Sequence, residues 1–190
     1  DTRHDFYRPP FLVRMRFGLN PTGKIDGLMA KMVGPSCTLH FAKALGFFFP
    51  AWIDENGYDF VAAVGMFDPF ALPNTYSIPN LHVDYVPSNI PINFGFWRST
   101  GAVHNSFALE SAIDEVAITG GKDSYKFRRE LLIDRPRALA VLDRAAELSN
   151  WGKAPQGLFQ GISFTHYLET FQAQVVEVSV SKRGKIKVHK

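Results

Sequence analysis

Residues 95–119 read GFWRSTGAVHNSFALESAIDEVAIT, a loop-like start that passes into a helical pattern. In the second half, apolar residues recur three and four positions apart, which places them on one side of a helix. Gly120 and Gly121 follow directly, and glycine is a common residue at a helix end. The stretch predicts a helix near the middle of the chain, with an apolar stripe formed by Leu109, Ala112, Ile113, Val116 and Ala117.

Two more helices are predicted on the carboxyl-terminal side of the first. Asp123 or Ser124 begins the second, because a short side chain with an oxygen atom caps the free amide groups of a helix start. Pro136 lies in the first turn of the third, where its missing N–H costs little. The inner face of that third helix is predicted to consist of Leu139, Leu142, Ala145 and Ala146.

Alternation of apolar and polar residues predicts strands at both ends of the chain. Residues 11–19 alternate, residues 20–23 (NPTG) form a turn and residues 24–33 return, which makes a hairpin. Residues 176–189 show a similar pattern around a second turn. We therefore predict an α+β fold with antiparallel β-hairpins at both ends flanking a helical middle, rather than a doubly wound sheet.

From these elements we predict a single domain over residues 1–190. Its predicted parts are a β-hairpin (1–33), an irregular or β segment with a pocket loop (34–101), helices (102–150) and a β-hairpin (151–190). The irregular part holds a short predicted helix near residues 39–45 and a strand over residues 76–86. Because the first residue is Asp1 and the last residues read as a strand still in progress, we expect a segment of a longer protein.

Composition narrows the class of protein. The 190 residues are 46% hydrophobic and 21% charged, which is typical of a globular domain and not of a disordered chain. The net charge of +3 is too small and too dispersed to indicate nucleic-acid binding. No apolar run approaches the ~20 residues of a membrane span. The lone Cys37 excludes an internal disulfide and is interpreted as a small packed side chain.

Most polar groups have an ordinary structural interpretation. The six histidines do not share metal-ligand spacing, so no metal site is predicted. Glu110 and Asp114, with Glu115, are interpreted as a solvated helix face, and a catalytic pair of carboxylates is the less favoured alternative. Arg128 and Arg129 are interpreted as a helix surface with partial pairing. The basic residues at the carboxyl-terminal turn are interpreted as an aid to solubility; they are Lys182, Arg183, Lys185, Lys187 and Lys190.

The loop over residues 94–105 is the exception. It lies before a predicted helix start, where free N–H groups favour anions, and Gly95 and Gly101 permit close approach of a ligand to the backbone. Arg98 lies among bulky aromatic residues. From the residues alone, a buried loop that holds Arg98 by hydrogen bonds is as well supported as a ligand site.

Several motifs resemble the xanthine dehydrogenase/aldehyde oxidase family, in particular the molybdopterin-binding large (beta) subunit of the isoquinoline 1-oxidoreductase type. The resemblance is carried by the loop and helix motifs together with three outlying stretches, in the same order along nearly the whole chain. It is weakest over residues 37–70. The matching residues are 3–9 (RHDFYRP), 76–80 (YSIPN), 95–99 (GFWRS), 104–111 (HNSFALES), Asp114-Glu115 and 171–178 (FQAQVVEV).

The resemblance implies an oxidoreductase that hydroxylates N-heteroaromatic compounds or oxidises aldehydes using water. It implies a molybdenum–pterin cofactor, often the cytosine dinucleotide, and a small partner subunit with [2Fe–2S] clusters, with a cytochrome c as one candidate electron acceptor. Arg98 would orient or polarise the substrate as a catalytic residue. Trp97 and Ser99 would bind the substrate, and Gly95 and Phe96 would bind the cofactor. His104 keeps its place in the motif without an assigned role.

The sequence also departs from the family pattern. It contains no G-x-G-E-P-type loop, which carries the general base in the family, and neither the M-G-Q-G motif nor the Gly-rich G-F-G loop. We therefore expect an internal fragment of a molybdopterin-binding domain that is inactive alone, binds no cofactor alone and relies on the remaining parts of the parent subunit. The resemblance implies a periplasmic location for the parent, with a cytoplasmic location as the alternative. The alternative is a non-catalytic binding or structural module on the same scaffold.

Overall fold

The computed structural model describes residues 7–36, 76–88, 90–95, 99–167 and 170–190. The chain divides into two compact units, Asp1–Leu109 and Glu110–Lys190. Each unit contains its own three-stranded sheet. The predicted single-domain organisation stays a prediction. The short helix predicted near residues 39–45 and the packed position predicted for Cys37 lie outside the described residues.

The sheet of the first unit contains β1 (Leu12–Leu19), β2 (Ile25–Gly34) and β3 (Asn80–Pro87), in that spatial order. β1 and β2 run antiparallel. The turn between them is held by Asn20, whose Oδ1 accepts hydrogen bonds from the N–H groups of Thr22 (2.9 Å) and Lys24 (3.0 Å). Gly23 has a φ of 73°, which glycine adopts without a steric penalty. Asparagine and glycine therefore determine this turn, as residues 20–23 predicted.

β3 pairs with β2 in the parallel direction. Two side chains support this pairing: Asn80 Nδ2 donates to Asp26 O (2.7 Å) and Tyr85 OH donates to Gly34 O (3.0 Å). The sequence predicted a strand in this region but not its partner, since alternation gives the faces of a strand and not its neighbour. The core of the sheet lies on one side of β2 and consists of Ile25, Leu28, Ala30 and Met32.

The helical middle contains α1 (Thr100–Thr119), α2 (Ser124–Leu131) and α3 (Pro136–Ser149). α1 ends at the predicted glycines: Gly121 has a φ of 66°, and the N–H of Lys122 reaches back to Ala117 O (2.8 Å). Asp123 caps α2, because its Oδ1 accepts a hydrogen bond from Lys126 N–H (2.9 Å). Pro136 occupies the first turn of α3. The predicted stripe of α1 is buried at Leu109, Ile113 and Ala117.

The second unit places α2 and α3 near an antiparallel sheet of β4 (Phe159–Tyr167), β5 (Thr170–Val180) and β6 (Ile186–Val188). α3 packs against β5. One face of the sheet is buried, because alternate residues of β4 and β5 point toward the helices. The buried apolar side chains of this unit include Ile113, Phe127, Leu132, Leu142, Ile162 and Phe164.

The mixed helix-and-strand class predicted from the sequence is confirmed. The arrangement is richer than a hairpin at each end, because β3 joins the first pair of strands and β4 joins the last pair. β4 lies within the segment predicted as a β-hairpin (151–190), but the alternation was identified only over residues 176–189. β4 reads FQGISFTHY, in which a glycine and several polar residues weaken the apolar alternation. No helix in the described ranges is long and apolar enough to cross a membrane.

Candidate functional site

The loop singled out by the sequence is fixed on its amino-terminal side by Tyr7. Tyr7 N–H donates to Asn93 O (3.0 Å) and Gly95 N–H donates to Tyr7 O (3.2 Å), which forms an isolated parallel bridge to Phe94. Phe94 is buried, with 8% of its surface exposed. Gly95 is therefore held in place by main-chain bonds as well as by a buried neighbour. Sequence analysis did not identify Tyr7 as an anchor, although the Arg8-Pro9 pair after it favours an extended backbone at Arg8.

On the other side of the loop, Ser99 directly precedes α1 and has a φ of 63°. This is the left-handed region, which a residue with a Cβ adopts at a cost of about 1–2 kcal/mol. Ser99 O accepts a hydrogen bond from Val103 N–H (3.3 Å), so the first turn of α1 holds the strained residue. Strain of this kind is concentrated at functional sites, which makes Ser99 a notable member of the loop.

Phe96, Trp97 and Arg98 lie outside the described residues. Of the five residues assigned to the site, the structure therefore places Gly95 and Ser99, at the two ends of the loop. The roles predicted for all five stay predictions.

His104 is the motif residue to which the sequence assigned no role. Its ring stacks on Phe11, with 4.2 Å between the ring centroids and 9° between the planes. Both ring nitrogens are shielded from solvent, and neither has a hydrogen-bond partner among the described residues. Burial, with a smaller contribution from the positive charge of Arg8, lowers the pKa of His104 to about 4. The imidazole is therefore neutral near pH 7, with one N–H donor and one acceptor nitrogen.

The solvated face predicted for Glu110 and Asp114 is wrong for Glu110, which is buried. The helix-surface position predicted for Arg128 is also wrong, because its side chain is fully buried. Its Nε donates to Glu110 Oε2 (2.9 Å), Nη1 donates to Asp114 Oδ1 and Nη2 donates to Glu110 O (3.1 Å). The helical spacing showed that the two acids share a face of α1, but it could not show that α2 covers that face.

The same carboxylate also binds the sheet. Glu110 Oε2 accepts a hydrogen bond from the N–H of Phe164 in β4 (2.8 Å), so one oxygen joins α1, α2 and β4. We call Glu110, Asp114 and Arg128 the arginine clamp. Because both carboxylates bind a buried arginine, their pairing has a structural explanation, and no feature of the described residues favours the alternative of a catalytic carboxylate pair.

Arg129 differs from its neighbour. Its guanidinium is partly exposed and binds Asp143 of α3 through two hydrogen bonds of 2.7 and 3.0 Å. The predicted partial pairing is therefore confirmed for Arg129. Within the described ranges, no three His, Cys, Asp or Glu side chains come together in a metal-binding arrangement.

Comparison with known proteins gives two curated relatives, while no family model matches the chain. One is the beta subunit of isoquinoline 1-oxidoreductase from Brevundimonas diminuta, 29% identical over 111 residues, which are 56% of this chain and 14% of that protein. The other is a nicotinate dehydrogenase subunit from Pseudomonas putida, 34% identical over 87 residues, which are 43% of this chain and 7% of that protein. The chain therefore spans a small part of the length of the curated relatives it matches.

Two solved structures share the fold. The aldehyde oxidoreductase of Desulfovibrio desulfuricans superposes with a TM-score of 0.56 and 16% identity, over 96% of this chain and 21% of that one. Quinoline 2-oxidoreductase from Pseudomonas putida 86 gives a TM-score of 0.57 and 15% identity, over 94% of this chain and 26% of that one. The resemblance inferred from the sequence motifs is confirmed: the curated relatives are oxidoreductase subunits, and the fold is that found in aldehyde and quinoline oxidoreductases.

Proposed function

We propose that these residues are a segment of the molybdenum-binding subunit of an oxidoreductase that hydroxylates N-heteroaromatic compounds or oxidises aldehydes using water. The observation that carries the proposal is the 29% identity over 111 residues with the beta subunit of isoquinoline 1-oxidoreductase. The shared fold with the aldehyde and quinoline oxidoreductases supports it. The resemblance of residues 95–99 and 104–111 to the family motifs locates the relevant part of the chain.

The cofactor of the parent would be a molybdenum–pterin, in the cytosine dinucleotide form. When bound, it supplies the transfer of an oxygen from water to the substrate carbon and takes up two electrons. Because the metal would be held by the pterin dithiolene, the chain has to supply hydrogen bonds rather than metal ligands. Among the described residues, His104 fits such a ligand, because its ring nitrogens have no partner among the described residues.

The site roles follow the family motif residue by residue. Gly95 and Phe96 would contribute to cofactor binding through the loop backbone. Arg98 would orient or polarise the substrate, since a fixed positive charge in a dry pocket stabilises developing negative charge. Trp97 would form a wall that stacks on an aromatic substrate, and Ser99 would bind the substrate beside it.

The parent would pass its electrons to a small [2Fe–2S] subunit and then to an acceptor such as a cytochrome c, in the periplasm. We propose that the 190 residues alone are inactive. General-base catalysis needs the base within hydrogen-bond reach of its proton, and the family's glutamate loop is not part of this sequence.

The test is the intact mass of the native polypeptide, measured together with its molybdenum and pterin content. A much larger subunit that contains both molybdenum and pterin is the expected result. A native polypeptide of 21.3 kDa without molybdenum would overturn the proposal and favour the non-catalytic binding or structural module.

A further inference from the structure

The segment over residues 7–11 contacts the candidate-site loop on both sides, and we call it the anchor segment. On the amino-terminal side of the loop, Gly95 N–H donates to Tyr7 O (3.2 Å). On the carboxyl-terminal side, the ring of Phe11 stacks on His104, which lies in the second turn of α1. The two contact residues are only four positions apart in the sequence, and all of these groups belong to the first compact unit. One short segment therefore contacts both sides of the loop.

The sequence of the anchor segment keeps its two contact residues at a nearly constant separation. The ring of proline fixes φ, and the residue before a proline is restricted to extended backbone. Pro9 and Pro10 carry the first restriction, and Arg8 and Pro9 carry the second. Pro9 is also buried, so the middle of the segment is packed against the rest of the chain. The positions of Tyr7 and Phe11 are therefore coupled by a stiff connection.

The ring of Phe11 is also held against the first sheet. It lies directly over Gly34 at the end of β2, where an added Cβ would come within 2.5 Å of Phe11 Cδ1. The ring centroid of Tyr85 in β3 is 6.3 Å from that of Phe11, and Tyr85 OH donates to Gly34 O (3.0 Å). The absence of a side chain at Gly34 therefore makes room for the ring. Phe11 joins this corner of the sheet to α1 through its stack on His104.

We propose that Phe11 is a positioning residue for the loop over residues 95–99. Its stack on His104 fixes the start of α1, where the loop ends, while Tyr7 fixes the residue at which the loop begins. A loop held at both ends presents its side chains within a narrow range of positions, and a shift of about 1 Å in such a group can lower the rate about 10²-fold. The inference rests on the proposed function, in which this loop orients the substrate.

Amide hydrogen exchange of the native protein, measured by mass spectrometry of peptides that cover residues 95–104, tests the contact directly. Phe11→Leu keeps an apolar side chain but removes the stacked ring, so exchange in these peptides should be faster than in the wild type. Phe11→Tyr keeps the ring and should exchange like the wild type. The matched control is Phe17→Leu, a half-buried phenylalanine near the far end of β1, which should leave these peptides unchanged.

Gly34→Ala tests the same contact without a change in the anchor segment. The added Cβ would displace the ring of Phe11, so exchange over residues 95–104 should become faster, as in Phe11→Leu. Gly18→Ala in β1 is the control, because the nearest atom to a Cβ at that position is 4.0 Å away. Wild-type exchange in both Phe11→Leu and Gly34→Ala would overturn the proposal.

Turnover of the native enzyme separates positioning from packing alone. The kcat of Phe11→Leu should fall about tenfold while KM changes less than about twofold, because a shifted loop loses interactions made in the transition state. Phe11→Tyr should recover most of the loss, and Phe17→Leu should match the wild type. Faster exchange in Phe11→Leu with an unchanged kcat would overturn the positioning role. A native protein without molybdenum would instead overturn the proposed function, and the exchange measurement would still test whether Phe11 fixes the loop.

Discussion

At the scale of single residues, His104 combines a stacked ring with two nitrogens that have no hydrogen-bond partner among the described residues. A buried polar group without a partner lowers stability by about 1–3 kcal/mol, whereas an apolar side chain of similar shape avoids that loss. The stacking on Phe11 keeps the ring plane fixed and would be retained by another aromatic residue. His104 therefore lowers the stability of this chain compared with an apolar aromatic residue at the same position.

His104→Phe should therefore raise the free energy of unfolding, by about 1 kcal/mol at pH 7. The pKa of His104 is about 4 in the folded chain against 6.5 ordinarily, so between these values the unfolded chain binds a proton that the folded chain does not. The free energy of unfolding of the wild type should fall as the pH drops from 6.5 to 4. That of His104→Phe should fall by less over the same range. Urea denaturation at several pH values measures this difference.

The control for His104→Phe is His189→Phe, which replaces an exposed histidine. The free energy of unfolding of this variant should depend on pH as that of the wild type does. A wild-type and a His104→Phe curve that run parallel from pH 7 to pH 4 would contradict the buried, neutral imidazole.

Ser99 supplies a second residue-scale prediction. Its φ of 63° is available to glycine without a steric penalty, so Ser99→Gly should raise the free energy of unfolding by up to about 1 kcal/mol. Ser106→Gly, inside α1, should instead lower it by about 0.5 kcal/mol, because glycine is unfavourable in a helix interior. In thermal unfolding, the Tm of Ser99→Gly should be higher than that of the wild type, and the Tm of Ser106→Gly should be lower. Destabilisation by both would mean that Ser99 is not strained.

At the scale of secondary-structure elements, the arginine clamp joins two helices and a strand. Arg128→Met should lower the free energy of unfolding by about 3–5 kcal/mol, because it leaves the buried Glu110 without its cation. Arg128→Met combined with Glu110→Leu should recover part of that loss, since the uncompensated charge is then removed. The free energies from urea denaturation of the single and double variants form a double-mutant cycle.

Arg144 provides the matched control for the clamp. Its pair with Glu147 has side chains that are 62% and 71% exposed, so Arg144→Met should change the free energy of unfolding by less than about 1 kcal/mol. Equal effects of Arg128→Met and Arg144→Met would show that the buried pair contributes no more than a surface pair.

The elements also show what sequence can predict. Helix starts and ends follow from local chemistry, so Asp123, Pro136 and the glycines after α1 gave the helix boundaries closely. The parallel pairing of β3 with β2 and the addition of β4 depend on long-range contacts that alternation does not encode. The burial of Arg128 was missed for the same reason, because a polar face of one helix gives no sign of the helix that covers it.

At the scale of the whole molecule, the candidate site was predicted from a family motif, because the chemistry of its residues alone did not identify it. A loop with Arg98 among aromatic residues fits a buried loop and a ligand site equally well, and the prediction of a ligand site depends on the family resemblance alone. The match to the beta subunit of isoquinoline 1-oxidoreductase covers 14% of the length of that protein. The function of the loop therefore has to be measured in the native protein.

Arg98→Ala in the native enzyme should lower kcat by about 10²–10³-fold, the range found when a preorganised donor to developing negative charge is removed. Molybdenum and pterin content should stay unchanged, because the proposed role is toward the substrate. Arg98→Lys should retain part of the activity, since the charge remains but its planar geometry is lost. Arg144→Ala, at an exposed pair, is the control and should match the wild type in turnover and metal content. Loss of molybdenum from Arg98→Ala would instead place this arginine on the cofactor side of the site, because a substrate-orienting residue has no reason to affect retention of the metal.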